Sequence, residues 1–260
     1  MAQLELNKKL SLNNNEINLF ARQLILDNFG EKKQKKIIDS HITFVGMGGI
    51  NCPALIYLLA AGIRNVTIVD NDKIQQSNLN RQIIYSINDV GKYKTNCIKK
   101  YIKQNFKKIS LKAYNKKLNI NNCSKLINKT NIVIDGTDDW ETMKIINDYC
   151  VKNNIPLLSA SVSGYDGNFV LLKNEKNKHL CLRCIFPYKN KLNLPRCEIV
   201  GIMGTSAGII GLLAAHEVIN FITSVKKKYN KKTITFFEGE SLSLKNIKIK
   251  KNNSCSLYKK

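Results

Sequence analysis

The short apolar stretch His41-Ile-Thr-Phe-Val-Gly46 runs directly into a glycine-rich turn, Gly46-Met-Gly-Gly-Ile-Asn51. That junction constrains the fold more than any other part of the chain. The stretch reads as a buried strand, residues from Gly49 to Ala61 read as a helix, and Asn65-Val-Thr-Ile-Val-Asp70 reads as a second strand. Strand, glycine turn, helix and strand together make the opening unit of a nucleotide-binding parallel sheet. Gly46 permits the tight turn, and Gly48 lets the backbone approach a phosphate. Gly49 is expected to open the helix, whose N-terminus offers free N–H donors and a positive dipole end. Asp70 closes the second strand, where a carboxylate can accept both ribose hydroxyls. Asn51 stands where G-x-G-x-x-G has its third glycine, so helix–strand packing should differ there. The turn and the acid point to adenosine without choosing between a dinucleotide and ATP.

The rest of the chain continues the alternation. Helices are expected over 16–28, over 89–106 and from about 140 to 153, with strands over 110–118, 131–139 and 155–161. Short loops between alternating elements predict a Rossmann-like, mostly parallel α/β sheet with helices on both faces. After Ser161 the pattern changes. Residues 164–173 read as an antiparallel strand, a Cys-containing loop follows, and 233–249 read as a hairpin around Glu238-Gly-Glu-Ser241. Residues 1–15 are polar and read as an arm, and 16–260 as one continuous domain.

Beyond Asp70 come Ser77, Asn78, Arg81 and Gln82, then Lys94 near the start of a basic helix. Arg22 lies upstream. Asp138 and Asp139 fall at the carboxyl end of a strand, the end that faces the ligand crevice in an open α/β sheet. Two arginines, a lysine and one or two carboxylates around one nucleotide suit a polyphosphate with Mg²⁺, because the cations neutralise phosphate charge and an Asp holds the hard metal ion. A nicotinamide site needs none of them. The Walker pattern is absent, which excludes a P-loop ATPase.

In this order, the "RQ" of Arg22-Gln23, Gly46-Met-Gly-Gly-Ile50, "VDND…SNLNRQ" (69–82), Gly91–Lys94, Thr137-Asp-Asp139 and Cys181-Leu-Arg-Cys184 resemble the ThiF/MoeB/HesA group, the bacterial relatives of ubiquitin-activating enzymes. The resemblance covers about residues 16–258 and is closest to ThiF. It implies an ATP-dependent adenylyltransferase that activates the C-terminal glycine of a ubiquitin-like sulfur carrier. The ThiS-type carrier of thiamine thiazole synthesis is the first expectation and the MoaD-type carrier of molybdopterin synthesis the second. By position, Gly46, Gly48, Gly49, Asp70, Asn78, Arg81, Lys94 and Asp138 are implied to bind ATP. Asp70 would take the ribose, Asn78, Arg81 and Lys94 the phosphates, and Asp138 the Mg²⁺. Arg22 is implied to reach the γ-phosphate from the neighbouring subunit of a homodimer. Asp139 stands where the group usually has Asn.

Of the eight cysteines, Cys181 and Cys184 have metal-ligand spacing. In the family a second such pair completes a Cys₄ zinc site. Here Cys255 is followed by Tyr258 at the fourth place, leaving either zinc with an altered shell, His179 or Tyr258 completing it, or a site held by packing alone. Cys52, Cys97, Cys123 and Cys150 read as small buried hydrophobes. Cys197, beside Arg196 and ahead of an apolar helix, is a candidate nucleophile; the resemblance places there a cysteine that can join the activated carrier through sulfur.

The net charge of +23 suits an acidic partner, although abundant Lys, Asn and Ile also fit compositional drift, to which most of it is assigned. No RNA-binding signature is present, so nucleic acid is not expected as a partner. The N-terminal segment has no apolar core, and the apolar run 201–223 is interrupted by His216 and Glu217. A helix buried against the sheet, a cytoplasmic location and reduced thiols are therefore expected. An NAD-dependent Rossmann oxidoreductase explains the glycine turn and Asp70 but leaves Arg22, Arg81, Lys94 and Asp138 unused. A non-catalytic carrier-binding scaffold is the third reading.

Overall fold

The computed structural model describes residues 12–173, 180–186, 201–224, 232–252, 255 and 257. Its eight helices over described residues are α1 (Asn14–Leu24), α2 (Gly30–Asp39), α3 (Asn51–Ala60), α4 (Lys94–Asn105), α5 (Cys123–Leu126), α6 (Trp140–Lys152), α7 (Leu182–Ile185) and α8 (Gly204–Thr223). The strands are β1 (His41–Val45), β2 (Asn65–Val69), β3 (Ser110–Tyr114), β4 (Ile132–Asp135), β5 (Leu157–Ser163), β6 (Asp166–Leu172), β7 (Thr233–Glu238) and β8 (Ser243–Lys248).

All eight strands form one sheet in the order β3-β2-β1-β4-β5-β6-β7-β8. Neighbours from β3 to β5 are parallel, and those from β5 to β8 are antiparallel. The expected fold class is therefore observed. Period-2 alternation sends Ile42, Phe44, Ile68, Ile134 and Leu158 to one face, under α2, α3, α4 and α8. Val45, Val69, Val133 and Leu157 go to the other, under α5 and α6. Strand order reverses between β1 and β4, and in such sheets the ligand crevice lies at the carboxyl ends of those strands.

The apolar helix α8 is long enough to cross a membrane by composition. Here it packs on α3, β5, β6 and α2, with Ile210, Ala214 and Val218 fully buried. Gly211 makes the close crossing on α3 possible, since a Cβ there would stand 2.3 Å from the carbonyl oxygen of Ile50.

Several expected boundaries move. Helix α1 begins at Asn14 rather than Glu16, because Asn13 caps it in a reciprocal box with Glu16, and it stops at Leu24. The basic helix starts at Lys94, not Asp89, since Gly91 takes φ +84° and the loop bonds back to Ile74. The helix after the glycine turn starts at Asn51, so Gly49 precedes it. Residues 1–11 of the expected arm lie outside the described residues, while Leu12 is buried against Phe20 and Ile38.

Candidate active site

The glycine turn joins the end of β1 to α3. Gly46 has φ +77°, and a Cβ there would stand 3.1 Å from the carbonyl oxygen of Gly136, so glycine is required on two counts. The Asn51 position resolves by exchange. Its buried amide donates to the carbonyls of Val45 (3.2 Å) and Gly46 (2.6 Å), and the space it needs is given by Gly136, whose Cβ would meet Asn51 Nδ2 at 2.7 Å. The missing third glycine of the motif is thus supplied from the end of β4.

A cleft of about 280 Å³ opens over this turn at the switch point. One side carries Asp70, Asp72 and Lys94; the turn itself and Arg81 form the floor; Asp138 and Asp139 close the side next to β4. Towards β5 the lining becomes mostly apolar, with Ala160, Val162, Ile202 and Ala207 beside the hydroxyl of Ser161.

Asp70 is buried and points at the turn, where its Oδ2 accepts the Met47 N–H at 2.6 Å and its Oδ1 the Asp72 N–H at 2.8 Å. Burial pushes its carboxyl upward, against the pull of Lys94 and the two N–H groups. Lys94 is also buried; its Nζ lies 2.8 Å from Asp72 Oδ2 and 3.8 Å from Asp70 Oδ2. Arg81 lays its stem over Gly49, where a Cβ would meet Arg81 Cγ and Ala207 Cβ at 3.1 Å, and its Nη1 donates to the Ser77 carbonyl at 2.9 Å.

Asp138 is exposed at the cleft mouth and makes no hydrogen bond or ion pair among the described residues, which leaves its oxygens free for a hard cation. Asp139 has a structural task that is compatible with its departure from Asn. It caps α6, accepting from the Glu141 N–H (3.3 Å) and the Thr142 hydroxyl (2.6 Å), and it faces Lys117 at 3.5 Å. Both Asn and Asp serve as N-caps. Burial works against ionisation of Asp139, but Thr142, Lys117 and the Glu141 N–H outweigh it and hold the carboxyl low.

Two expected residues do not line this cleft. Asn78 turns its Oδ1 to the Gln75 N–H at 3.2 Å, closing the turn that carries Arg81. Arg22 is exposed on the last turn of α1. That helix is tied to the loop before β2 by the Glu16–Arg64 ion pair (2.6 Å) and by Phe20 under Gly62. Five-residue β2 separates that loop from the cleft, a span of roughly 16 Å at ~3.3 Å per residue.

Sequence reading missed Asp72 and the lysines Lys116 and Lys117 on the cleft wall, and the buried Asp135, which lies outside that lining. Asp135 is fully buried at the end of β4, where desolvation raises its carboxyl to about 6 against hydrogen bonds from Thr137 (2.7 and 3.0 Å) and Ser159 (3.4 Å). An acid closing an apolar strand was the available signal.

Away from the cleft, the sulfur of Cys181 lies 3.7 Å from those of Cys184 and Cys255. Tetrahedral zinc with Zn–S bonds of ~2.3 Å spaces its sulfurs about 3.8 Å apart, which matches both spacings from Cys181, and all three sulfurs lie within 4.8 Å of one another. Helix α6 positions them: Asn147 Oδ1 accepts the Leu182 N–H (2.8 Å), and Asp148 pairs with Arg183 (2.9 Å). Hydrogen bonding from Cys181 draws the Cys184 thiol down to about 5, in spite of burial. His179, Tyr258 and Cys197 lie outside the described residues. Cys52, Cys97, Cys123 and Cys150 are buried, as expected, and desolvation raises Cys52 to about 12.

A family model, the ThiF family, matches residues 20–257. The chain is 31% identical over 248 residues to an adenylyltransferase and sulfurtransferase MOCS3 of Anopheles gambiae, covering 95% of this chain but 56% of that protein. It thus spans about half the length of such relatives. It is 28% identical over 244 residues to the sulfur carrier protein ThiS adenylyltransferase of Escherichia coli, covering 94% and 96% of the two chains. A probable molybdopterin-synthase adenylyltransferase of Gracilaria tenuistipitata is 31% identical over 215 residues, 83% of this chain and 60% of that one. Among solved structures, E. coli MccB with MccA-N7isoASN superposes with a TM-score of 0.76 at 23% identity, over 92% of this chain and 74% of that one, a likeness of fold.

Proposed function

The chain belongs to the ThiF family, and from that premise we propose that it uses ATP to adenylate the C-terminal glycine of a ubiquitin-like sulfur carrier protein. One observation carries the reading. The glycine turn, Asp70, Arg81, Lys94 and Asp138 border a single cleft at the switch point of the sheet. A nicotinamide dinucleotide would leave Arg81, Lys94 and Asp138 without work, and a non-catalytic scaffold would leave the whole set so.

Asp70 takes the ribose hydroxyls. The turn backbone between Gly46 and Gly49, Arg81 and Lys94 take the phosphates, with Asn78 holding the turn that presents Arg81 and Asp139 placing the start of α6. Asp138 holds Mg²⁺, which when bound neutralises phosphate charge. A carrier carboxylate oxygen bonds to the α-phosphorus; the bond to the bridging oxygen breaks, and its electron pair leaves with pyrophosphate. Arg22 is too far from its own cleft and serves the cleft of a second copy, which makes the working unit a homodimer. The adenylation unit runs through residue 260 and starts before residue 16, because Asn13 caps α1 and Leu12 packs on Phe20. Cys181, Cys184 and Cys255 hold structural zinc, the reading that their 3.7 Å spacings support. Cys197 is the nucleophile that receives the activated carrier, its sulfur bonding to the carrier's acyl carbon as the bond to AMP breaks and AMP leaves.

The ThiS-type carrier is favoured by the E. coli relative, which matches over nearly the full length of both chains. The molybdopterin alternative is favoured by the Gracilaria relative. ATP–pyrophosphate exchange with Mg²⁺ and either carrier tests both. Exchange with a ThiS-type carrier alone supports the first reading, exchange with a MoaD-type carrier alone supports the second, and exchange with neither contradicts the proposal.

A further inference from the structure

The floor of the cleft holds a polar side chain with no task in the fold. Gln82 is 4% exposed and lines the cleft, yet neither end of its amide makes a hydrogen bond among the described residues. Its backbone is fixed at both ends, with its N–H donating to the Asn78 carbonyl at 2.9 Å and its own carbonyl accepting from the Tyr85 N–H at 3.1 Å. The amide oxygen Oε1 is walled in. The nitrogen Nε2 points over the open side of Gly48, 4.0 Å from where a Cβ on that glycine would stand. Turning the amide around would wall in the NH₂ group and aim the oxygen at any anion bound over the turn. A side chain kept only to fill space would do so better as leucine, without an unpaired buried carbonyl.

Four side chains follow the turn in order. Asp70 binds Met47 N–H, the Gln82 amide faces Gly48, and the Arg81 stem and Ala207 cover Gly49. With the ribose at Asp70 and the outer phosphates at Arg81, the group above Gly48 is the α-phosphoryl. Resting on the adenylation reading above, we propose that Gln82 is a catalytic residue whose Nε2 donates a hydrogen bond to a non-bridging oxygen of the α-phosphoryl group while the carrier carboxylate attacks it. As the new P–O bond forms and the bond to the pyrophosphate oxygen breaks, negative charge collects on the equatorial oxygens. A preorganised neutral donor stabilises that charge without transferring a proton. The amide needs no reorganisation, since its walled-in oxygen already fixes its direction.

The test uses full-length protein, Mg-ATP and whichever carrier supports wild-type exchange. Gln82→Leu should lower exchange at saturating substrates ~10²–10³-fold, as loss of one transition-state donor does, with KM for ATP changed only a few-fold. Gln82→Glu supplies the second readout. Its carboxylate repels the phosphate when ionised and donates when protonated, so its activity should rise as pH falls through the glutamate pKa, a dependence the wild type lacks. Gln82→Leu within about threefold of the wild type overturns the proposal. Loss in Gln82→Leu beside a wild-type pH profile in Gln82→Glu also overturns it, because that pair is what a structural role gives. A wild-type protein that exchanges with neither carrier overturns the adenylation reading as well, whereas a working wild type with an indifferent Gln82→Leu overturns this inference alone.

Discussion

Lys94 Nζ sits 2.8 Å from Asp72 Oδ2 and 3.8 Å from Asp70 Oδ2, so the cleft's buried cation is held between two carboxylates that play different parts. Asp70 is locked by backbone N–H groups, whereas the Asp72 side chain is 59% exposed and free to swing away. A polyphosphate entering the cleft competes with Asp72 for Lys94. Lys94→Ala should lower exchange ~10²–10³-fold. Asp72→Asn should lower KM for ATP a few-fold, measured by initial-rate exchange at varied ATP, because the competing charge is gone.

Asp139 caps α6 through Glu141 N–H and Thr142. Asp139→Ala should cost about 1 kcal/mol of stability and lower Tm by about 2–4 °C. Asp139→Asn should stay close to wild type in the same melt, since an amide oxygen caps equally well.

The buried Asp135 carboxyl is raised to about 6, above its ordinary value near 4. Between those values the folded protein binds the proton that the unfolded chain has released. Stability from this group is therefore full at low pH and falls as pH rises towards 6, by roughly 3 kcal/mol in all. Asp135→Asn keeps an acceptor for Thr137 and removes the charge. Denaturant unfolding at pH 4.5 and 8 should show the variant more stable than wild type at the higher pH, with a flatter pH dependence.

Arg22 and the cleft lie at opposite ends of β2. Arg22→Ala and Lys94→Ala should each be nearly inactive alone. Mixed and allowed to exchange subunits, they should regain roughly one quarter of wild-type exchange activity, because half the dimers are hybrids with one intact site. No recovery in verified hybrids would place Arg22 outside the reaction.

The parallel sheet, the glycine turn and Asp70 were legible in the sequence because strand periodicity and glycine chemistry act over a few residues. Helix α2 was not. Its Gly-Glu-Lys-Lys-Gln-Lys-Lys-Ile-Ile-Asp sequence buries only Gln34, Ile37 and Ile38, too narrow a stripe to declare a period. The Lys94–Asp72 pair and the Asn51–Gly136 exchange join residues far apart in the chain, and neither partner signals the other locally. The capping task of Asp139 was not legible, because it shows only once the start of α6 is fixed. The cysteine spacing was visible at Cys181 and Cys184, but their meeting with Cys255 depends on how the antiparallel half of the sheet returns the chain.

The most direct test of the account is the intact mass of a sulfur carrier after incubation with the protein and Mg-ATP, trapped before hydrolysis. The account predicts a carrier heavier by one adenylyl group (AMP less water), bonded at its terminal glycine, and no adduct on a carrier that lacks this glycine. A carrier of unchanged mass, or an adduct indifferent to the terminal glycine, would contradict it.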